Sequence, residues 1–315
     1  MARYAGRRLL EAIPLILIVA TFVFVLARII PGDPVALILG DEATSADVAR
    51  VRAQLGLDRP LVVQYALWLS RAVLRLDLGE SFYLKQPVGQ AIVQRIEPTF
   101  LLAASGALLA IVMGMALGVV AAVRRNTLVD RAVMVVALAG LSVPSFLVGL
   151  ILILVFAVRL RLLPSSGYAP LHDGWPATLR YLVLPAITIG VGGAGIIARI
   201  TRSSMLDVLR APYVQTARSK GLPRHLVILK HALRNALIPT MTVISLTIAG
   251  LVAGTIIVET VFAIPGSGRL VVQSVARRDY PVIQGAVMFV ALLYVLVNAA
   301  VDVLYAYLDP RIRYD

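Results

Sequence analysis

Six apolar segments, each long enough to cross a lipid bilayer, constrain this chain more than any other feature. A hydrocarbon core of about 30 Å requires about 20 apolar residues of helix. The chain is 59% hydrophobic and only 15% charged, whereas a soluble globular domain is about 25% charged. The segments are Leu10–Ile30, Pro98–Val123, Ala132–Val158, Tyr181–Ala198, Ala236–Val258 and Tyr280–Val301. We therefore predict an all-α membrane protein with six transmembrane helices.

The net charge of +13 is typical of nucleic-acid-binding proteins, but here the basic residues lie between apolar segments. The first segment follows Arg3, Arg7 and Arg8 and has no convincing cleavage site, so it is predicted to remain as an uncleaved anchor. With the N-terminus inside, most Lys and Arg of the short loops fall on the cytoplasmic side. An even number of spans then places both termini in the cytoplasm.

The chain is predicted to divide into three parts. Residues 1–30 form the N-terminus and the first transmembrane helix, and residues 31–97 form an external loop. Residues 98–315 form a five-helix core that contains a cytosolic loop at 199–235. In the external loop, Asp47–Leu55, capped by Ser45, and Pro60–Leu76 are predicted to be amphipathic helices on the outer surface. Trp and Tyr in the second of these suit a membrane interface.

The cytosolic loop contains a short helix with clear boundary signals. Pro212 favours its start, and Gly221 with Pro223 favours its end. Ala217 and Gly221 are small and four residues apart, with Tyr213 four residues earlier, and this spacing favours close approach to a groove in a partner. Arg218 and Lys220 are predicted to meet acidic groups of that partner, and 224–239 leads from this helix into the fifth span.

Glycines recur at helical spacing inside the spans. The pairs Gly114 with Gly118 and Gly250 with Gly254 predict close packing of membrane helices. Residues 190–195 match the dinucleotide-binding pattern G-x-G-x-x-G, but they lie in the middle of the fourth span. A dinucleotide site needs a strand before this pattern and a helix that starts at it. Helix packing or a flexible point is therefore the better interpretation.

Several polar groups lie within or beside the spans. Thr240, Thr242, Ser245 and Thr247 could line a polar path, or could form hydrogen bonds between helices. Glu259 and Asp302 could act in transport, or could simply be solvated or paired with arginine. Phe262 belongs to an apolar segment that could constrict the outer mouth or form an ordinary surface loop.

The motifs of common enzymes are absent from the sequence. There is no Cys, so thiolate chemistry and Cys-based metal sites are excluded. The only lysines are Lys85, Lys220 and Lys230, and none lies in a P-loop pattern. His225 and His231 are six residues apart and do not share a helix face. The sequence predicts no enzyme activity, no metal site and no cofactor in this chain.

The cytosolic loop resembles the coupling loop of permease subunits in bacterial ATP-binding-cassette (ABC) importers. The residues that carry this resemblance are Tyr213-Val-Gln-Thr-Ala217-Arg-Ser-Lys-Gly221-Leu and Leu229-Lys-His231-Ala-Leu-Arg-Asn235-Ala-Leu-Ile-Pro239. The chain is most similar to the first-subunit branch of the dipeptide, oligopeptide, glutathione and nickel permeases. Further matches are Pro31-Gly-Asp-Pro34, Gln54-Leu-Gly-Leu-Asp-Arg-Pro60, Asp77-Leu-Gly79 with Ser81, Val258-Glu-Thr-Val-Phe262, Arg278-Asp-Tyr-Pro281 and Asp309-Pro-Arg-Ile-Arg-Tyr314.

One departure concerns the wider importer pattern E-A-A-x-x-x-G-x9-I-x-L-P. Gln215, Thr216 and Ala217 stand where E-A-A would, and Gly221 keeps its place. His231-Ala-Leu-Arg234 replaces I-x-L-P. The acidic position is therefore lost, and no acidic contact to the ATPase is expected from it.

The resemblance implies a type I ABC importer permease in the bacterial inner membrane. Its expected partners are membrane lipid, a second homologous permease subunit, two cytosolic ATPases that bind ATP and Mg, and an external substrate-binding protein. Nucleic acid is not expected. The helix from Tyr213 to Gly221 would receive ATP-driven motion through Tyr213, Gln215, Thr216, Ala217, Arg218, Lys220 and Gly221. Thr240, Ser245, Thr247, Glu259, Phe262 and Asp302 are the candidate path or gate residues.

The expected substrates are dipeptides or oligopeptides, which would cross by alternating access in a pathway of which this chain forms half. Glutathione and nickel permeases share the same motifs and remain alternatives. A gradient-driven carrier that acts alone is an alternative of another class. The sequence has few charges in its spans for ion coupling, which disfavours that carrier.

Overall fold

The computed structural model describes residues 2–29, 35, 39, 44–54 and 56–308, with side chains for all of these except 2–12, 54 and 301–308. Three features named in the sequence analysis lie outside the described residues: the motif at 31–34, Leu55 and the motif at 309–314. The helices are α1 (Ala2–Ile29), α2 (Ser45–Gln54), α3 (Leu61–Leu74), α4 (Val88–Val93), α5 (Ile96–Val123), α6 (Leu128–Ser142), α7 (Ser145–Arg159), α8 (Trp175–Leu209), α9 (Pro212–Ser219), α10 (Arg224–Val261), α11 (Ser267–Ala276) and α12 (Tyr280–Leu308).

Among the described residues, four helical stretches are long and apolar enough to cross a membrane, and a fifth span is possible if α6 and α7 together form one. The four are Val88–Val123, Trp175–Leu209, Arg224–Val261 and Tyr280–Ala300. Within α1, Ile13–Ile29 is a shorter apolar stretch. The predicted all-α membrane architecture is confirmed, whereas six spans and cytoplasmic termini stay predictions.

The third predicted span is not one continuous helix. The chain bends by 106° between α6 and α7. Val143 adopts an extended conformation, with φ −84° and ψ 124°, directly before Pro144. A proline ring disfavours the helical conformation in the residue that precedes it. The expectation of an unbroken helix over Ala132–Val158 is therefore wrong, and this part is a broken span or a re-entrant loop.

The chain forms two compact units. The first unit comprises residues 98–264 and the end of α12. Helix α8 lies at its centre, and 67% of the residues in its most apolar part are buried. Leu182, Ile189 and Ile197 of α8 pack in one core with Leu102 of α5 and Leu251 of α10. Burial of this kind explains why α8 is apolar over most of its circumference.

Glycines allow α5 and α8 to approach closely. A Cβ atom on Gly118 would lie 2.7 Å from the Ala198 carbonyl oxygen, and one on Gly114 would lie 2.9 Å from the Ala194 carbonyl oxygen. In the dinucleotide-like pattern, a Cβ on Gly190 would lie 2.9 Å from the Gly106 carbonyl oxygen. This pattern therefore serves helix packing. Gly250 differs, since nothing lies within 4 Å of its Cβ position, and the expected close packing is not found there.

The second unit comprises residues 2–97 and 265–295. In it, Ser81 donates a hydrogen bond of 2.5 Å to the buried carboxylate of Asp279, which also accepts from the backbone N–H of Tyr83. The turn after α3 is thus bonded to the start of α12.

The cap of α2 is Thr44 and not the predicted Ser45: the Asp47 N–H donates to the Thr44 hydroxyl at 3.2 Å. The Thr44 hydroxyl in turn donates to the Asp47 carboxylate and lowers its pKa.

Candidate functional site: a short basic helix between two long helices

Helix α9 lies between the end of α8 and the start of α10, at the position predicted for the coupling helix. Pro212 occupies its first turn, where a missing backbone N–H costs no hydrogen bond. Gly221 has φ +74°. Its N–H donates to the Arg218 carbonyl, and the N–H of Leu222 donates to the Ala217 carbonyl. These two bonds form a Schellman motif, which requires a left-handed residue at the position of Gly221.

The buried face of α9 packs on both neighbouring helices. Val214 is fully buried and Ala217 is 7% exposed, and they contact Val227 of α10 together with Val208 and Leu209 of α8. The small side chain of Ala217 thus lets α9 approach the rest of the same chain. Its predicted role in coupling to a partner stays a prediction.

The opposite face of α9 is exposed and polar or basic. We call this face the α9 surface: Tyr213, Gln215, Thr216, Arg218 and Lys220. Tyr213 is 45% exposed, and its hydroxyl accepts a hydrogen bond of 2.9 Å from Asn235 Nδ2 of α10. The ring therefore keeps part of its surface exposed while its hydroxyl is bonded to α10, at the residue before the fifth predicted span.

A cavity of about 540 Å³ lies beside the α9 surface. Four arginines from different parts of the chain line it, and we call it the arginine cavity: Arg125, Arg210, Arg218 and Arg224. The rest of its lining is apolar and includes Leu206, Leu222 and Ile228. None of the four arginines forms an ion pair with any residue that the structure describes. Sequence reasoning counted these charges for orientation but missed that they converge.

Asp130 was not predicted as important. Arg202 of α8 donates from Nε to Oδ1 at 2.5 Å and from Nη2 to Oδ2 at 2.7 Å of its carboxylate. Asn126 adds a backbone N–H bond of 2.9 Å. The available signal was Thr127 followed three residues later by Asp130, a capping pattern for α6. Nothing in the sequence indicated the partner on α8.

Most of the candidate path residues are buried within the first unit. The Thr240 and Thr247 hydroxyls donate to carbonyls one turn earlier in α10, as does the half-buried Ser245. Glu259 is fully buried and accepts a hydrogen bond of 2.7 Å from Thr99. Phe262 is 1% exposed. The side chain of Asp302 lies outside the described residues, so the roles of all these residues stay predictions.

No group of three or more His, Cys, Asp or Glu side chains able to hold a metal occurs among the residues that the structure describes. What this region offers instead is a basic surface on a short helix that is fixed to two long ones. Such an arrangement can transmit mechanical displacement, because packed helices move as rigid bodies.

Comparison with known proteins gives a consistent result. The family model described as "Binding-protein-dependent transport system inner membrane component" matches residues 114–314, and the model of its N-terminal part matches residues 1–103. A Brucella abortus (strain 2308) protein named as a peptide transport system permease is 45% identical over 309 residues, 98% of each chain. The glutathione transport system permease protein GsiC of Salmonella typhi is 45% identical over 314 residues, all of both chains.

The solved structures show the same fold at much lower identity. A MetNI methionine ABC transporter in an inward-facing conformation superposes with a TM-score of 0.55 and 18% identity, over 70% of this chain and 97% of that one. The predicted type I importer permease fold is confirmed. The prediction of a transport subunit rather than an enzyme is confirmed by the relatives, which are named as permease proteins of transport systems. The chain belongs to the family of inner membrane components of binding-protein-dependent ABC transport systems.

Proposed function

We propose that this chain forms half of the translocation pathway of an importer for dipeptides or oligopeptides, and that ATPase subunits drive it through the α9 surface. The observation that carries the proposal is the placement of α9. It is exposed and basic on one face, and its other face is packed through Val214 and Ala217 against α8 and α10.

The geometry supports transmission of force from α9 to the spans. Helix α10 runs for 38 residues from Arg224 to Val261, with a π-helical segment at Val227–Leu233. Because α9 is packed against the start of α10 and the end of α8, a push on α9 moves both. The hydrogen bond between Tyr213 and Asn235 adds a polar link to α10.

The chemistry of the partner follows from the arginine cavity. The four arginines form no ion pair with a described residue, and the rest of the cavity lining is apolar. This lining favours a partner that presents carboxylates beside an apolar side chain. Arg125 interacts electrostatically with Asp130, but that carboxylate is already bonded to Arg202. We therefore expect the ATPase to contribute the acidic groups, in contrast to importers in which the permease supplies a glutamate at the position of Gln215.

The complete transporter is proposed to contain this chain, a second related permease, two ATPases and an external substrate-binding protein. The relatives named for peptide and glutathione transport support a peptide-like substrate. Glutathione, itself a tripeptide, is the second candidate because GsiC matches over the entire chain.

The experiment is ATP-driven uptake in proteoliposomes that contain both permeases and the ATPases, with the binding protein added outside. We expect uptake of labelled peptide only when the ATPases and ATP are present. An Arg218→Glu and Arg224→Glu double variant is expected to insert normally but to lose uptake and ATPase association. Arg131→Glu, an exposed arginine on α6 away from the cavity, is the matched control and is expected to retain both.

Uptake by the permeases without ATPases would contradict the proposal in favour of a gradient-driven carrier. Competition by unlabelled glutathione or Ni²⁺, each at the concentration at which unlabelled peptide competes, distinguishes the substrates. Stronger competition by glutathione than by dipeptides would replace the proposed substrate with the second candidate.

A further inference from the structure

The second unit contains a cavity of about 560 Å³ to which neither the family nor the proposed function assigns a role. This size lies in the range of ligand sites, about 300–1,000 Å³. The cavity is lined by the end of α1 with Arg28, the end of α2 and the segment 56–59 after it, the face of α3 with Trp68 and Arg71, the turn 77–85, and the start of α12 with Gln284. The cavity therefore belongs to the packed body of this unit and not to a single loop.

Cations predominate in the lining of the cavity. Arg28, Arg59, Arg71 and Lys85 contribute four positive charges, and Asp77 and Glu80 contribute two negative ones. None of the four cations forms an ion pair with a described residue. Arg28 donates to the neutral amide oxygen of Gln64, with its Nη2 at 2.8 Å, and it pairs with no carboxylate among the described residues. Uncompensated guanidinium groups around a cavity favour a phosphate or carboxylate ligand.

Two buried donors in the lining also lack acceptors. Gln284 is 5% exposed, and its Nε2 has no hydrogen-bond partner; the same holds for the buried Nε1 of Trp68. Native proteins leave few buried donors without a partner, and each such donor calls for an explanation, such as strain, a water, an ion or a ligand. A ligand with several anionic oxygens would supply acceptors to both donors.

The surroundings of the cavity distinguish a lipid from a small soluble anion. Arg28 lies at the end of the apolar stretch of α1, where Phe24, Tyr65 and Trp68 form an aromatic cluster with ring centroids 5.3–6.2 Å apart. Trp and Tyr side chains are enriched at the level of lipid headgroups. The same two helices expose large apolar side chains, among them Phe22, Ile29, Leu61 and Leu74, and these could contact acyl chains.

We propose that this cavity binds the phosphodiester of a phospholipid, with the acyl chains on the exposed apolar faces of α1 and α3. Arg59, Arg71 and Lys85 contact the phosphate oxygens, and Gln284 and Trp68 donate to the remaining acceptors. The bound lipid fills the space between α1, α3 and the start of α12 and so holds these elements together within the second unit.

The test uses the fluorescence of Trp68. The chain has two tryptophans, Trp68 and Trp175, so a Trp175→Phe background leaves Trp68 as the only reporter. The full chain in maltoside micelles is titrated with dioleoyl-phosphatidylglycerol. Two further probes separate the parts of the ligand: dioleoylglycerol has the same chains without phosphate, and glycerol phosphate has the headgroup without chains. We expect a saturable change in emission with phosphatidylglycerol alone.

The variants test the residues. Arg59→Gln with Arg71→Gln is expected to raise the half-saturating lipid concentration about tenfold or more, because two charge-assisted contacts are lost. Arg75→Gln, an exposed arginine at the end of the same helix that does not line the cavity, is the matched control and is expected to change it less than about twofold. Gln284→Leu is expected to weaken binding without lowering thermal stability, since it removes a donor that has no partner in the chain.

Four results would overturn the proposal. An equal response to dioleoylglycerol would show that the phosphate is not recognised. Saturation by glycerol phosphate at the same concentration as the lipid would identify a soluble-anion site. Equal losses in Arg75→Gln and in the double variant, or a loss of stability in Gln284→Leu with unchanged binding, would show that the cavity residues act only on the fold.

Discussion

Arg202 and Asp130 form a two-bond ion pair that joins α8 to the first turn of α6, with N–O distances of 2.5 and 2.7 Å. The Asp130 side chain is 4% exposed and that of Arg202 is 25% exposed. The pair lies seven residues before the end of α8, close in sequence to the start of α9. It therefore fixes the part of the first unit that the proposed motion must move.

Removal of one partner should destabilise the chain strongly. Asp130→Asn leaves a guanidinium without its carboxylate, and loss of one member of a buried pair costs about 3–5 kcal/mol; the exposed quarter of Arg202 favours the lower end. Chemical unfolding of the purified chain in mixed micelles measures this loss. Arg199→Gln, an exposed arginine on the same helix, should shift the unfolding free energy by less than about 0.5 kcal/mol. Similar losses in the two variants would mean that the pair contributes nothing specific.

The backbone conformation at Gly221, and not the room around it, should limit which residues can replace it. Its φ is +74°, yet no atom lies within 4 Å of its Cβ position. A β-branched residue is strained in this conformation by roughly 1–2 kcal/mol, whereas Asn adopts it readily. Gly221→Val should therefore lower ATP-driven uptake and the coupling of ATP hydrolysis to substrate, and Gly221→Asn should retain most of both. If the two variants behave alike, the left-handed cap is not what the position requires.

Two glycines should respond oppositely to the same substitution. Gly118→Ala places a methyl group 2.7 Å from the Ala198 carbonyl oxygen, so the helices must separate, at a cost of about 1–3 kcal/mol. Gly250→Ala meets nothing within 4 Å and should stabilise α10 by roughly 0.5–1 kcal/mol, because alanine restricts the unfolded chain. Thermal unfolding of the chain purified alone compares them. Equal shifts would contradict the close contact between α5 and α8.

Local signals in the sequence predicted those structural features whose physical cause is also local. The ends of α9 follow from Pro212 and Gly221, and the long spans follow from their apolar length. The bend before α7 had an equally local cause in Pro144, but the apolar run of 132–158 concealed it. Hydropathy measures transfer into lipid and is insensitive to the backbone restriction that a single proline imposes.

The candidate site is formed by tertiary contacts that could not be predicted from a single sequence. Ala217 looked available for a partner because it is small, and the structure uses the same property to bury it against Val227. Asp130 and Arg202 are 72 residues apart, so only the packing of α6 on α8 brings them together. The four arginines of the arginine cavity likewise come from separate elements. Such convergence is a tertiary property, whereas charge counts report only the side of the membrane.

The central claim is that the α9 surface contacts the ATPase, and a single-cysteine cross-link tests it most directly. The chain contains no Cys, so each introduced thiol is unique in it. Lys220→Cys lies on the α9 surface, and Arg161→Cys is an exposed control beyond the end of α7. In the assembled transporter, a short thiol-to-amine cross-linker is expected to join Lys220→Cys to the ATPase, and ATP is expected to alter the yield. Arg161→Cys should give no such product. A cross-link from Arg161→Cys, or none from Lys220→Cys in a transporter that still imports substrate, would contradict the account.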